Sequence, residues 1–456
     1  MKIIVTNKVH VQGAPETFLS TVKDRLTFSN PRWIENDRHG YWNGKTPKQL
    51  RYFEKTKSGL IIPRGFIRQL IGIARAQGIK YHLKDQRRTL PEVDIAFHGK
   101  LKPFQKAAIK DVLAHDFGTL AAPTGSGKTV IALYAIAKRK QPALIIVHTV
   151  ELLHQWVDRV GAFLGIPAKE IGIIGDGKYL LGDKVTVATV QTLYKCADKV
   201  KDHVGFLIVD ECHRAPSRTF TEAITAFDSQ FMLGLSATPW RRDKLSRLIY
   251  WYIGDVIHTV NKGDLLKTGD ILPVEVISRN TEFKTLLDPS EQYSRMLSEL
   301  TKDPIRNNFI ARDIAREAQR HKGVCLVLSD RKMHCVAMQG LLWRKHKVRS
   351  ELLTGDIPKK EREPTVSRLN SDKVRVLIAT GQLIGEGFDC KQLSTLFLAT
   401  PIKFNGRVLQ YLGRVLRPAP GKKKARVYDY VDKHVGPLRA SARARLRTYD
   451  KLARAA

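Results

Sequence analysis

The chain has 456 residues, 43% of them hydrophobic and 27% charged, which is too long for one ordinary core and too apolar for wholesale disorder. Its 78 Lys+Arg against 44 Asp+Glu give a formal net charge of +34, a field that favours a polyanion and makes nucleic acid the leading partner. No apolar run approaches the roughly 18–20 residues that span a bilayer, and the start "MKIIVTNKVHVQGAPE" lacks a leader's apolar stretch, so an intracellular protein with no membrane partner is expected.

In chain order, residues 1–98 read as a small accessory domain that precedes the rest. The first hundred residues carry 19 Lys+Arg and 8 Asp+Glu, and the aromatics Phe28, Trp33, Tyr41, Trp42, Tyr52 and Phe53 stand among Arg32, Lys45, Lys48, Arg51 and Lys55. Two readings stay open for these rings: the core of a small domain, or a surface on which unpaired bases stack beside a basic groove. "SGLIIPRGFIRQL" (58–70) reads as strand, turn and helix.

Residues 99–260 alternate strand and helix patterns, with apolar strand candidates at 143–149, 184–190, 206–211 and 231–238. Residues 271–430 do so again, with strands at 323–330, 374–380 and 393–400. Short Val, Ile and Leu runs suit strands buried on both faces, so two parallel α/β domains in tandem are predicted. Residues 431–456 read as a basic C-terminal tail, and the segment 421–456 holds 11 Lys+Arg against 3 Asp+Glu. The cysteines Cys196, Cys212, Cys325, Cys335 and Cys390 are scattered without a CxxC pair, so reduced thiols are expected and neither zinc nor an iron–sulfur cluster is indicated.

"APTGSGKT" (122–129) follows a short apolar piece and precedes the helical pattern "VIALYAIAKR", the setting of a phosphate-binding loop. Pro123, Thr124, Gly125, Ser126 and Gly127 would wrap phosphate oxygens with backbone N–H groups, Lys128 would reach the β- and γ-phosphates, and Thr129 would hold Mg²⁺. The first position is Ala122, one residue away from the strict GxxxxGK[ST] pattern. "LIVDECH" (207–213) ends an apolar strand in two acids: Asp210 would hold Mg²⁺, and Glu211 would orient or deprotonate the attacking water. His213 taken alone is an ordinary packing or surface residue, and Cys212 a buried thiol without function.

With these motifs in place the chain resembles a superfamily 2 helicase over residues 99–420. "LKPFQ" (101–105) resembles that superfamily's adenine-reading motif, which implies Gln105 as a base contact. "IIVHTVELLHQW" (145–156) and "VATVQTL" (187–193) resemble strand-contacting motifs, and "GLSATPWRRD" (234–243) the motif whose Ser236 and Thr238 couple ATP to domain movement, a role that also takes in His213. "VLIATGQLIGEGFD" (376–389) resembles motif V, with Gly385 and Gly387 allowing close backbone approach and Asp389 bonding a ribose or neighbouring arginines. "QYLGRVLR" (410–417) resembles motif VI, in which Gln410, Arg414 and Arg417 share a helix face and sense the γ-phosphate. The resemblance implies two RecA-like parallel-sheet domains, ATP and Mg²⁺ as cofactors, and a motor acting in the cytoplasm of a prokaryote or an infected host.

Motif II reads "DECH", and motif Ia lacks the pattern of DEAD-box RNA helicases. "DPIRNNFIARDIA" (303–315) is similar to the XPB-like and phage UvsW-like DNA helicases. The expected function is therefore an ATP-dependent DNA helicase or translocase that remodels forks and Holliday junctions by branch migration, in replication, recombination or repair. A monomer is expected. A restriction-system translocase, an RNA helicase and a non-catalytic DNA-binding protein remain as alternatives.

Overall fold

The computed structural model describes residues 1–214, 218–237, 246–355, 357, 364–365, 367–369, 374–381, 390, 392–401, 411–413, 415, 417–419 and 421–453. The chain divides into two compact units, Met1–Ala122 with Gly127–Val260, and Pro123–Ser126 with Asn261–Ala456.

The N-terminal strands are β1 (Lys2–Val5), β2 (Lys8–Gln12), β3 (Thr27–Ser29), β4 (Gln49–Arg51), β5 (Glu54–Thr56), β6 (Gly59–Pro63) and β7 (His82–Asp85). Five of them form a sheet in the order β5-β6-β2-β1-β7, and β3 pairs with β4 separately. Alternation along β1 and β2 buries Ile3, Val5, Val9 and Val11, which pack with Phe18 and Val22 of the helix Glu16–Arg25 and with Leu70 of the helix Ile67–Ala76. Leu248 and Trp251, from the helix Ser246–Ile253 far along the chain, complete the same core. Phe28 and Tyr52 stack at 5.6 Å and both lie against Trp251, so these two half-buried rings pack onto the core. Arg87 bridges Asp85 and Asp116, both at 2.6 Å, and buried Arg64 donates to the Ser229 carbonyl at 2.8 Å. The accessory sheet and the sheet that follows it are thus one packed body.

That second sheet contains β8 (Phe117–Ala121), β9 (Ala143–Val147), β10 (Gly172–Gly175), β11 (Lys178–Leu180), β12 (Val185–Thr189), β13 (Phe206–Val209), β14 (Phe231–Ser236) and β15 (Val256–Thr259), in the order β11-β10-β12-β9-β13-β14-β8-β15. All its pairings are parallel except β10 with β11. Every residue of β9, β12 and β13 is buried, as a strand covered on both faces requires. Each fully buried Leu, Ile or Val there contributes about 1.5–3 kcal/mol.

The second unit has β16 (Val274–Thr281), β17 (Val324–Ser329), β18 (Glu351–Leu353), β19 (Val376–Thr380), β20 (Leu393–Leu398) and β21 (Ala425–Asp432), in the order β16-β21-β20-β17-β19-β18 with every pairing parallel. Ile310 and Ile314 of the helix Pro304–Arg320 and Met338 and Leu342 of the helix Lys332–His346 pack with Val327, Ile378 and Phe397 of its strands. The sequence strands at 323–330, 374–380 and 393–400 are β17, β19 and β20; β16 and β21, whose apolar positions alternate with polar ones, escaped the search for continuous apolar runs. In the basic segment after residue 430, Gly436–Ala453 form a helix that buries Leu438, Ala442 and Tyr449 and holds Arg445 against Asp429 at 2.6 Å.

Within this fold, the residues "DPIRNN" build a structural network. Asp303 caps its helix by accepting from the Arg306 N–H at 2.7 Å. Buried Arg306 pairs with Asp432 at 2.8 Å and donates to the Ala399 carbonyl at 2.7 Å, while Asn307 meets His334 Nε2 at 2.9 Å.

Candidate active site

In an open parallel sheet, ligands gather at the carboxyl ends of the strands. Here β8 runs into the loop 122–129, the neighbouring β14 ends at Ser236, and β13 next to it ends just before Asp210. Three short sequence motifs, more than a hundred residues apart at their extremes, therefore share one edge.

The loop is preshaped for an anion. Gly125 and Gly127 have φ of +92° and +74°, a region that a side chain would strain, and such turns point successive N–H groups inward. Ser126 is buried and donates its hydroxyl to the Pro123 carbonyl at 2.7 Å. A Cβ on Gly127 would lie 2.5 Å from Gln105 Nε2, so a side chain there would also displace the end of Gln105. Gln105 is itself buried in the first turn of the helix Pro103–Leu113, and its Oε1 accepts from the Lys102 N–H at 3.0 Å, which closes the start of that helix. Lys128 opens the helix Lys128–Arg139 and folds back to donate to the Ala122 carbonyl at 3.0 Å; Thr129 follows it, half-buried. This helix is held by buried Ile131, Leu133 and Ile136.

Asp210 is buried, and its Oδ1 accepts from the Glu211 N–H at 2.9 Å. Its Oδ2 accepts from the Trp156 indole at 2.8 Å. Burial, and then the neighbouring Glu211 charge, raise the Asp210 carboxyl to about 6. A divalent cation beside Asp210 would relieve both effects, so this buried carboxylate suits Mg²⁺ by its chemistry, and a loop with two left-handed glycines suits phosphate oxygens.

Glu211 adopts φ +49°, a left-handed conformation that costs a non-glycine residue about 1–2 kcal/mol and is tolerated where it aims a functional group. His213 Nδ1 lies 3.2 Å from Glu211 Oε2 and 3.2 Å from Ser236 Oγ. The imidazole thus stands beside both the Glu211 carboxylate and Ser236, the last residue of β14. Cys212 is buried in the core cluster of this sheet, and burial pushes its thiol up.

In the second unit, Arg417 is half-buried, and its carbonyl accepts from Lys422 Nζ at 2.8 Å. Lys422 also donates to the carbonyls of Leu393, at 2.5 Å, and Val415. Tyr411 is buried and donates its hydroxyl to the Gly381 carbonyl at the start of motif V, and Leu412 and Val415 are buried beside it. Thr238, Gly385, Gly387, Asp389, Gln410 and Arg414 lie outside the described residues.

The structure adds three positioning residues to those read from motifs. Trp156 was visible as the last letter of "ELLHQW", but nothing in the sequence pointed it at Asp210. Tyr411 and Lys422 lie in or just after motif VI, and only the fold brings them to the carbonyls that they hold.

A glycine-rich loop after β8 and a buried carboxylate after β13, at the same end of one parallel sheet that is followed in the chain by a second, fit a phosphate-loop protein of RecA-like construction. Residues 98–241 match the family described as "Type III restriction enzyme, res subunit", and residues 307–419 match "Helicase conserved C-terminal domain", together more than half of the chain. Similar curated proteins include "DNA 3'-5' translocase XPB2" of Sulfurisphaera tokodaii, 25% identical over 76% of this chain and 84% of its own length. "ATP-dependent DNA helicase uvsW" of Enterobacteria phage T4 is 25% identical over 91% of this chain and 86% of its own. "Putative ATP-dependent RNA helicase L396" of Acanthamoeba polyphaga mimivirus is 26% identical over 79% and 70%. The chain belongs to the superfamily 2 helicases of the XPB and UvsW type. It is accordingly an ATP-dependent nucleic-acid helicase.

Proposed function

We propose that this helicase acts on DNA and remodels branched substrates such as forks and four-way junctions. The observation that carries the reading is the reach of the similarity to the phage T4 DNA helicase, which takes in 91% of the chain and so extends beyond the motor into the accessory domain. The net charge of +34 supports a polyanionic substrate without choosing between DNA and RNA.

In this reading, ATP is the hydrolysed substrate and Mg²⁺ supplies charge neutralisation at its phosphates. The loop 123–127 binds the phosphates through backbone N–H groups, and Lys128 leaves the Ala122 carbonyl to meet them. Thr129 and Asp210 hold the metal, with Trp156 keeping the carboxylate in place. Glu211 orients the attacking water, and His213 passes its position on to Ser236 and to Thr238 beyond. Arg414 and Arg417 of the second domain, with Gln410, supply the sensing charge, while Gln105 reads the base and Gly387 and Asp389 contribute to the nucleotide or to those arginines.

The test compares ATP turnover with DNA and with RNA at matched salt, followed by strand displacement on tailed duplex, fork and four-way junction. Greater stimulation by DNA and greater activity on the branched forms are expected. Stimulation by RNA alone would favour the second reading, which the mimivirus relative's name supports. Equal activity on tailed duplex and junction would remove the branch-remodelling claim.

A further inference from the structure

Residues 30–48, between β3 and β4, form an ordered excursion from the accessory domain. Its base is closed by the Asn30 N–H donating to the Lys48 carbonyl at 2.9 Å and by Asn30 Nδ2 donating to the Pro47 carbonyl at 2.9 Å. Asn30 Oδ1 caps the helix Pro31–Arg38 by accepting from the Arg32 N–H at 3.0 Å. Further out, the Tyr41 N–H donates to the Asn36 carbonyl at 2.8 Å, Asn36 Nδ2 to Asn43 Oδ1 at 3.1 Å, and the Thr46 N–H to the Asn43 carbonyl at 2.8 Å. Polar bonds shape the segment, because no residue from 31 to 48 is buried.

Such a segment needs no large apolar side chains for its own stability, yet it carries several. Trp42 is 90% exposed, Tyr41 67% and Ile34 50%. One side of the Trp42 ring rests on Gly44, where a Cβ would come within 2.8 Å of the indole, so the ring is held from beneath while most of its surface faces outward. Phe28 and Tyr52, from the strands on either side of the excursion, are by contrast packed on Trp251. The fold therefore sorts the N-terminal aromatics into a set packed on the core and a presented set.

The chemistry around the presented set is cationic. Arg32, Arg38, Lys45 and Lys48 face two carboxylates, Glu35 and Asp37, within the excursion, and Lys48 Nζ sits 5.1 Å over the Trp33 ring. Exposed flat rings on a segment with an excess of cationic side chains match a nucleobase with its backbone. Bases inside a duplex have both faces covered, so a protruding indole finds a free face only on an unpaired base, as at a single-strand–duplex junction.

Resting on the reading of the chain as a DNA helicase, we propose that Trp42, supported by Tyr41, is a stacking platform for the unpaired base at the branch point. The excursion 30–48 is then a substrate-recognition element separate from the motor motifs.

The test uses the full-length chain and a DNA fork with 2-aminopurine at the first unpaired position. Wild type is expected to quench the 2-aminopurine on binding. Trp42→Ala should lose that quench and bind the fork about tenfold more weakly, with Trp42→Phe retaining most of both. All three proteins should melt alike, since Trp42 is 90% exposed and lies outside the core, so a lost quench reports the platform and not the fold. Absence of quenching by wild type, or unchanged quench and affinity in Trp42→Ala and in a Tyr41→Ala/Trp42→Ala double variant, overturns the proposal. A Trp42→Ala variant that instead shifts the molar mass in light scattering overturns it in favour of self-association through this face. A wild-type chain with no DNA-stimulated turnover defeats the helicase reading itself, an outcome distinct from the failure of the platform alone.

Discussion

The Trp156 indole donates to Asp210 Oδ2 at 2.8 Å with both groups buried, so a residue of motif Ia fixes the carboxylate of motif II. A hydrogen bond to a charged acceptor is worth about 1.5–3 kcal/mol, and a group that orients a metal-holding carboxylate typically changes metal affinity by about 10–100-fold. Trp156→Phe keeps most of the packing and removes the donor. Its Mg²⁺ requirement should rise by about tenfold or more while nucleic-acid affinity holds, as Mg²⁺ titrations of ATP turnover and binding isotherms would show. An unchanged Mg²⁺ dependence would reduce Trp156 to a packing residue.

Lys128 Nζ makes its bond to the Ala122 carbonyl at 3.0 Å, an interaction that contributes little to folding. Lys128→Ala should therefore melt close to wild type while turnover of ATP falls by about 10²–10³-fold. Calorimetry and a phosphate-release assay on the same preparation check both halves. Undiminished turnover would refute the assignment of the phosphate loop.

His213 lies 3.2 Å from both Glu211 and Ser236, and in the proposed function it links hydrolysis to the end of β14. Coupling residues of this kind change inter-site energies by about 0.5–2 kcal/mol. His213→Ala is expected to lower strand displacement per ATP hydrolysed by about 2- to 30-fold. The quantity to measure is that ratio, and a proportional loss of both activities would count against a coupling role.

His334 is buried between Ser329, at 2.9 Å from its Nδ1, and Asn307, at 2.9 Å from its Nε2, and burial pushes it down to about 3. The unfolded chain binds this proton near pH 6.5 and the folded chain does not. Stability from the neutral imidazole is thus complete above about pH 6.5 and is lost as pH falls toward about 3, at roughly 1.4 kcal/mol per unit. Denaturation of His334→Gln at several pH values should show a slope shallower by about that amount in this window.

Arg306 and Asp432 form a buried pair at 2.8 Å, and Thr281 donates its hydroxyl to the same carboxylate at 2.5 Å. Leaving one buried charge without the other costs about 3–5 kcal/mol, whereas replacing both with apolar groups is often neutral. Arg306→Met should destabilise the protein by that amount in urea unfolding, and Arg306→Met with Asp432→Leu should recover most of the loss. Equal destabilisation in the single and double variants would argue against a charge-pair origin.

The sequence alone determined the tandem parallel α/β organisation, because strands covered on both faces must be continuous apolar runs, as at 143–147 and 324–328. It also singled out the loop 122–129 and the acids Asp210 and Glu211 as candidates, since phosphate chemistry demands particular residue types within a few positions of one another. Long-range partners leave no such local trace. The placement of Trp156 on Asp210, the His213 link to Ser236, the entry of Trp251 into the N-terminal core and the Arg306–Asp432 pair each join residues that only strand order and helix packing bring together. The N-terminal aromatics mark the boundary between the two kinds of information: their composition was plain in the chain, but which rings are covered and which are presented depends on what packs beside them, and that was decided by the tertiary structure.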